Sequence, residues 1–405
     1  MNKKLFPILS AFLLLFSLIE KGQATETYRP ETSVAGFIQL PGSGRQVYNF
    51  NPGWRFFKGD IHGAESVDFD DRSWTIVSTP HTVELMPAEA SGCRNYQGPA
   101  WYRKHFVLPA ETKGKRVLIH FEAAMGKQVL YLNGKRIQEH VGGYLPFTLD
   151  LTTNGIQAGD SCLLAIFVDN SNDKSFPPGK PQYTLDFAYH GGIYRDVWMI
   201  AKSPVSITDP LDSQTVAGGG VFVHFDKISE KSAQVYVNTE LQNDNQHTET
   251  VTVETTLTDA DGKVIKRTSG KLSLKSGEKK IIRQQIEVKS PKLWSPDAPY
   301  LYKVQSRIKK GNQSIDGGIT RIGIRLAEFR GKDGFWLNGK PFVQLVGVNR
   351  HQDFAYVGNA LPNSQQWRDA KRLRDAGCTI IRVAHYPQDP SFMDACDELG
   401  MFVIV

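Results

Sequence analysis

The chain has 405 residues, enough for two to four domains at the usual one per ~100 to 200 residues, each able to bury its own core. Its formal charge is +6, from 48 Lys and Arg against 42 Asp and Glu with no basic block, which argues against a nucleic-acid partner. The four cysteines (Cys93, Cys162, Cys378 and Cys396) can pair in an oxidising compartment but lack metal-site spacing.

At the start, Lys3 and Lys4 precede an apolar run from Leu5 to Ile19, and Gly22-Gln23-Ala24 offers a small-residue cleavage site. This pattern predicts a signal peptide over residues 1–24 and a periplasmic or secreted protein beginning near Thr25 with a charge of about +4. A transmembrane anchor is the rival reading, but the run is short for a bilayer and polar residues follow at once. With no Cys beside the cleavage site, a lipid anchor has no attachment point there.

Residues 48–201 alternate short extended runs with turns. WYRKHFVL, KRVLIHFEA, KQVLYLNGKRI, CLLAIFVD and YRDVWMI read as strands, and Asn133-Gly134 is a hairpin signal because both residues tolerate positive φ. Many short strands without a βαβ rhythm predict a jelly-roll β-sandwich. Its turns, GWRF, GGYLPF, SFPPGKPQY and FAYHGGIYRD, are aromatic, and aromatic faces beside polar groups suit sugars, although aromatics also serve as plain core residues. Cys162 falls in one of these strands, so a buried free thiol is expected there.

Residues 202–323 alternate apolar and polar positions in GVFVHFDK, AQVYVNTELQ, HTETVTVETTLTDADGKVI, KKIIRQQIEV and YLYKVQSRIKK, with turns at Asp261-Gly262 and Lys310-Gly311-Asn312. The length fits one immunoglobulin-like β-sandwich, and the absence of clustered His, Asp or Glu makes it read as a spacer.

From residue 324 the period changes. FWLNGKPF predicts a hairpin around Asn338-Gly339, and VQLVGVN a strand. A helix capped by Asn363 with Gln366 follows, its stripe formed by Trp367, Ala370, Leu373 and Ala376 and its end set by Gly377. TIIRVA is the next strand. Asp389 and Pro390 open a second helix with Phe392, Met393, Cys396 and Leu399 inward and Gly400 as its stop, and MFVIV is a third strand. Strand–helix–strand–helix–strand predicts a parallel sheet buried on both faces. Residues 324–405 are therefore expected to be the truncated start, three strands, of a (β/α)8 TIM barrel. Asn349, Arg350, His351 and Asp353 follow the first strand, and Arg382, His385 and Tyr386 cluster at the second. The C-terminal strand ends form the active face of such barrels, and a charge in an apolar strand needs a partner or ligand.

These residues resemble glycoside hydrolase family 2, the β-galactosidases, β-glucuronidases and β-mannosidases. The resemblance rests on DDRSWTIVSTPH (70–81), GPAWYRKHF (98–106), VLYLNGKRI (129–137), GGYLPFTLDLT (142–152), GGIYRDVWM (191–199), PKLWSPDAPYLY (291–302), GIR (323–325), FWLNGKPFVQLVGVNRHQD and IIRVAHYP. It is read as a resemblance to the family's N-terminal portion only, because the motifs of the two catalytic glutamates do not occur within residues 1–405. In the family's retaining mechanism one carboxylic acid protonates the leaving oxygen and the other attacks the anomeric carbon, the two lying about 5 to 5.5 Å apart. The resemblance thus implies a β-galactosidase-like hydrolase as the full-length protein and an inactive 405-residue chain. It implies substrate contacts for His351, Arg382 and His385, and for Asp186, seven residues before Ile193. No cofactor is required by it, though Mg2+ or Na+ is compatible with the family; an oligosaccharide or glycoside is the expected partner, and homo-oligomerisation is left open. One departure is Gln352, where galactosidases of the family commonly carry Glu. β-Glucuronidases usually show NKH where this chain has NRH at 349–351, so the main reading is galactose, with β-glucuronidase as the alternative and a noncatalytic carbohydrate-binding protein as the second.

Overall fold

The computed structural model describes residues 38–86, 95–343 and 345–405. The expected signal peptide and Cys93 lie outside these residues. Among the described residues, no helix is long and apolar enough to cross a membrane.

The first sandwich pairs a four-stranded sheet, in the order Gln46–Asn49, Val197–Lys202, Arg116–Phe121 and Phe147–Asp150, with a six-stranded one. The second sheet runs Thr75–Val77, Trp54–Lys58, Pro99–Val107, Ser161–Asp169, Lys127–Leu132, Lys135–Val141. Trp54, Tyr102, Phe121, Leu130 and Ile166 fill the core between them, each shielded from water by the alternation of its strand. The last hairpin turns at Asn133 (φ 49°) and Gly134 (φ 80°), the pair of positive angles expected from the sequence.

In the second sandwich, Ser232–Asn243 pairs with Val205–Ile207, Val221–Asp226 and Lys279–Lys289. The facing sheet runs Val264–Leu274, Glu249–Thr258, Tyr302–Lys310, Gln313–Ile322. Val235, Val237, Leu257, Ile286 and Val304 form its core.

The parallel sheet has the order Gly347–Arg350, Ile380–Val383, Phe402–Ile404, and it is not closed into a barrel. Helices α1 (Asn363–Asp375) and α2 (Pro390–Leu399) cover one face, where Ala370, Ile381, Val383, Phe392 and Cys396 meet. Gly347 is needed because a Cβ there would lie 1.7 Å from the Ile380 carbonyl oxygen. Helix α2 begins and ends as its sequence predicts: Asp389 accepts from the Ser391 N–H at 2.8 Å, Pro390 stands at the first helical position, and Gly400 is left-handed at φ 77°.

Three expectations are corrected here. Asn363 is not the N-cap of α1; Pro362 is, and Asn363 instead donates its amide to Asp196 of the first sandwich at 2.8 Å. Ala376 is exposed rather than part of the packed stripe. Among the described residues the parallel strands are not covered on both faces: the two outer strands are sheet edges, with Val348 46 % and Ile404 51 % exposed, and Arg382 emerges on the face opposite the helices. Hydrophobic runs report that a strand is apolar, not that a second layer covers it. Cys162, Cys378 and Cys396 are buried free thiols; Cys378 packs with Cys396 in the helix–sheet core.

Candidate functional site

The parallel register sets Asn349 beside Arg382 and Arg350 beside Val383, so His351 and the Ala384-His385-Tyr386 segment leave the same end of adjacent strands. The rings of His351 and His385 lie 5.3 Å apart, edge to face. Arg382 Nη1 approaches His385 Nδ1 at 3.0 Å. A guanidinium can only donate, so Nδ1 accepts and the neutral ring keeps its proton on Nε2. That Nε2 faces Asp186 Oδ1 at 3.8 Å. The structure therefore brings together His351, Arg382, His385 and Asp186, the four residues singled out in the sequence. Arg382 is exposed, however, so it is not a charge buried within the strand as its apolar neighbours suggest.

Asp186 and Phe187 come from the first sandwich. Phe187 sits among the barrel-side rings, 5.5 Å from His351, 5.6 Å from His385 and 5.7 Å from Tyr386. Tyr386 in turn stacks on Tyr144 at 4.4 Å and 10°. Burial pulls the His351 imidazole below its usual pKa, partly opposed by Asp353, so His351 favours its neutral form at neutral pH. The exposed polar edge is thus made by Asp186, Arg382 and His385, backed by an aromatic wall. Such an edge can offer the hydroxyls of a polyhydroxylated ring an imidazole N–H, a guanidinium and a carboxylate, while the rings of Phe187, Tyr386 and Tyr144 are buried behind it and hold the imidazoles in place.

A second set of residues fixes these groups without reaching solvent. Arg195, from the GGIYRD segment, donates through Nη2 to Gln352 Oε1 (3.1 Å) and the Pro387 carbonyl (2.7 Å), and through Nη1 to the Tyr144 carbonyl (3.3 Å). Gln352 is fully buried; its Oε1 also accepts from the Asp389 N–H at 2.8 Å, and its backbone N–H donates to Tyr386 Oη at 3.1 Å. Arg350 is likewise internal, bonded to Gln366 and Asp369 at 2.8 Å and to Gln388 at 2.6 Å, with its guanidinium 4.0 Å over the Phe392 ring. Arg350 and Gln352 thus position the strand end, and His351 between them faces the site. Sequence reasoning missed Phe187, Tyr144 and Arg195, although their turns were marked as aromatic.

Where the sandwich meets α1 and α2, three buried carboxyl groups adjoin. Burial, reinforced by Asp389, pushes Asp196 up to about 6 although Asn51 and Asn363 both donate to it. Burial also raises Glu122 well above the usual range, and raises Asp389 against the opposing charge of Arg195. Among the described residues no group of three or more His, Cys, Asp or Glu converges as metal ligands. The oxygen of Gln352 is already taken by Arg195 and Asp389, so Gln352 does not offer a metal ligand in this arrangement, and no step is derived through Mg2+ or Na+.

Three family models match the chain: the glycosyl hydrolases family 2 sugar binding domain over residues 64–204, glycosyl hydrolases family 2 over 219–325, and its TIM barrel domain over 329–405. The chain is 36 % identical over 366 residues to a beta-galactosidase of Thermoanaerobacter pseudethanolicus, covering 89 % of this chain and 46 % of that protein. It is 33 % identical over 381 residues to a beta-glucuronidase of Formosa agariphila, covering 90 % and 38 % respectively. The crystal structure of Bacteroides uniformis beta-glucuronidase superposes with a TM-score of 0.80 at 32 % identity, over 89 % of this chain and 42 % of that one. The chain thus spans less than half the length of these relatives. The expectation that the resemblance is limited to the family's N-terminal portion is corrected, because the barrel-domain model matches as well as the two sandwich models. With all three domains matched across most of its length, the chain belongs to glycosyl hydrolases family 2.

Proposed function

We propose that the chain forms the substrate-recognising part of a retaining glycoside hydrolase that acts on a terminal β-linked sugar of an oligosaccharide or glycoside. The observation that carries this is the convergence of His351, Arg382 and His385 at two adjacent strand ends with Asp186 and Phe187 of the sandwich. Hydroxyl recognition needs donors and acceptors fixed in advance, and Arg195, Gln352 and Arg350 supply that rigidity from behind. Between the two sugars weighed, β-glucuronide is favoured over β-galactoside: several similar solved structures bear the name beta-glucuronidase, although relatives of both names match. The leader-like residues 1–24 support a secreted or periplasmic setting. No segment within residues 1–405 matches the two catalytic-glutamate motifs, so these residues bind sugar without hydrolysing it.

The test is calorimetric titration of the chain with methyl β-glucuronide and methyl β-galactoside, before and after His385→Ala, alongside hydrolysis of the corresponding aryl glycosides. Loss of a hydrogen bond to a charged or strongly polar group should weaken binding roughly tenfold, with little change in melting temperature because His385 is partly exposed. Unchanged affinity removes His385 from the site. Turnover abolished by a point change within the chain would overturn the division between recognition and catalysis.

A further inference from the structure

The second sandwich, which reads in the sequence as a spacer, has one face that its core does not explain. Val221, Val223, Phe225, Val235, Val237 and Ile286 turn inward, so the alternate residues of the same strands point to solvent. Across three strands these form two rows. One is Phe222–Asn238–Arg283, the other His224–Tyr236–Gln285, each set by the pairing register. Phe222 is 58 % exposed. Its ring stacks on His224 at 5.6 Å, and His224 stacks on Tyr236 at 5.0 Å and 10°. An exposed Phe at the free edge of a sheet, extended by two further rings, is an unusual use of a solvent-facing strand.

The polar groups around the rings are open. Among the described residues Arg283 makes no ion pair or hydrogen bond, and the side chains of Asn238, His224 and Tyr236 are likewise without hydrogen-bond partners, whereas Gln285 donates to Gln234 at 2.8 Å. The carboxylates that share this face, Asp226 and Glu287, lie in the row beyond Tyr236, four residues along their strands from Phe222 and Arg283, or about 13 Å. On the other side Glu240 is buried and bonded to Thr208 and Ser213. Arg283 is therefore a locally uncompensated cation at one end of a row whose other end is an open aromatic ring. The two ends are two strand spacings apart, roughly 10 Å, which is about the length of two linked sugars.

We infer that this strip is a noncatalytic binding site for a β-linked oligosaccharide carrying uronate groups, separate from the site at the parallel strand ends. The C–H face of one sugar packs on Phe222. Asn238 and Tyr236 bond hydroxyls between, and the planar carboxylate of the next sugar matches the fork of the Arg283 guanidinium. A spacer placed this way would hold a polymeric substrate near the enzyme while its end is processed elsewhere.

The experiment titrates the whole chain with a tetrasaccharide of β-1,4-linked glucuronate and with its neutral counterpart, the β-1,4-linked glucose tetrasaccharide, which carries a hydroxymethyl group in place of each carboxylate. Titrations are repeated in Phe222→Ala, Arg283→Met, Arg283→Lys and His385→Ala, with melting temperatures for each. The expected result is two binding components: one that Phe222→Ala and Arg283→Met each weaken roughly tenfold without lowering the melting temperature, that Arg283→Lys partly retains and that His385→Ala leaves in place, and a second, at the first site, that only His385→Ala weakens. The neutral tetrasaccharide should bind about tenfold less tightly than the acidic one. Absence of binding, equal binding of the two tetrasaccharides, or insensitivity to Phe222→Ala and Arg283→Met would overturn the inference. So would self-association abolished by Phe222→Ala, which would make the strip a contact between copies. Loss of all binding in His385→Ala would return the ligand to the first site, whereas failure of that site alone would leave strip binding intact.

Discussion

The parallel unit is joined to the two sandwiches by seams of different chemistry. Toward the first sandwich, the contact is a buried polar network: Arg195 reaches Gln352 and Pro387, Asn363 reaches Asp196, and Tyr144 stacks on Tyr386. Toward the second, the contact is an anchor on the far side of α2 and the sheet. Arg321 pairs with Asp394 at 2.9 Å and with Glu398, Trp294 Nε1 donates to the Asp397 carbonyl at 2.9 Å, and the Trp294 ring packs edge-on against Phe402 at 5.3 Å. Both seams contain a nearly buried arginine. Only the first runs directly behind His351 and His385, so the same kind of interaction should serve recognition in one place and cohesion in the other.

Replacing each arginine with Met separates the two roles and should give the largest effects. Arg195→Met leaves the Pro387 and Tyr144 carbonyls without their donor and removes the cation beside Asp389, so a loss of roughly 3 to 5 kcal/mol is expected in urea unfolding. Sugar affinity should fall as well, and Arg195→Lys should recover only part of it, because one ammonium cannot reproduce the fork geometry. Arg321→Met should cost a similar ~3 kcal/mol by removing the cation from Asp394 and Glu398, yet leave the affinity of the folded protein unchanged. If both variants lose affinity in proportion to stability, the seams do not differ in the way described.

A smaller change sharpens the first seam. Phe187→Leu keeps an apolar side chain but removes the ring contacts to His351, His385 and Tyr386, for an expected ~1 to 2 kcal/mol. Because those contacts orient the two imidazoles, sugar binding should weaken by more than the stability loss explains. Affinity measured well below the melting transition checks this, and unchanged affinity would make Phe187 a packing residue only.

These effects track what could be read from the sequence. The hairpins at Asn133-Gly134 and Asn338-Gly339 and the bounds of α2 were legible because turn and cap chemistry is local. The proximity of His351, Arg382 and His385 was legible because neighbouring parallel strands bring their ends together. Asp186 entered through family resemblance alone, since nothing local distinguishes an acidic loop residue. Arg195 was missed because its partner Gln352 is 157 residues away, and no periodicity encodes such a contact. The Asn363 cap failed for a related reason: Pro362 already supplies the extended residue before α1, which frees the Asn363 amide for Asp196 across the seam.

The least perturbing test of the first seam is its response to pH. Asp196 is raised from 3.8 to about 6, mainly by burial and then by Asp389. A carboxyl group with a higher pKa folded than unfolded binds its proton more tightly in the native state. Its contribution to stability is therefore full below about 3.8 and is lost as pH rises through about 6. For Asp196 alone this amounts to at most roughly 3 kcal/mol, and Glu122 and Asp389 act in the same direction. Asp196→Asn removes one titrating group while keeping an acceptor for Asn51, and Asn363 can turn its amide to meet the new NH2. Urea unfolding between pH 4 and pH 8 should then show a shallower decline with rising pH than the unaltered protein, and greater stability than it at pH 8. Parallel curves for the two proteins would mean that Asp196 is already ionised in the folded state, and that the charge of the seam is balanced by its arginines rather than by a retained proton.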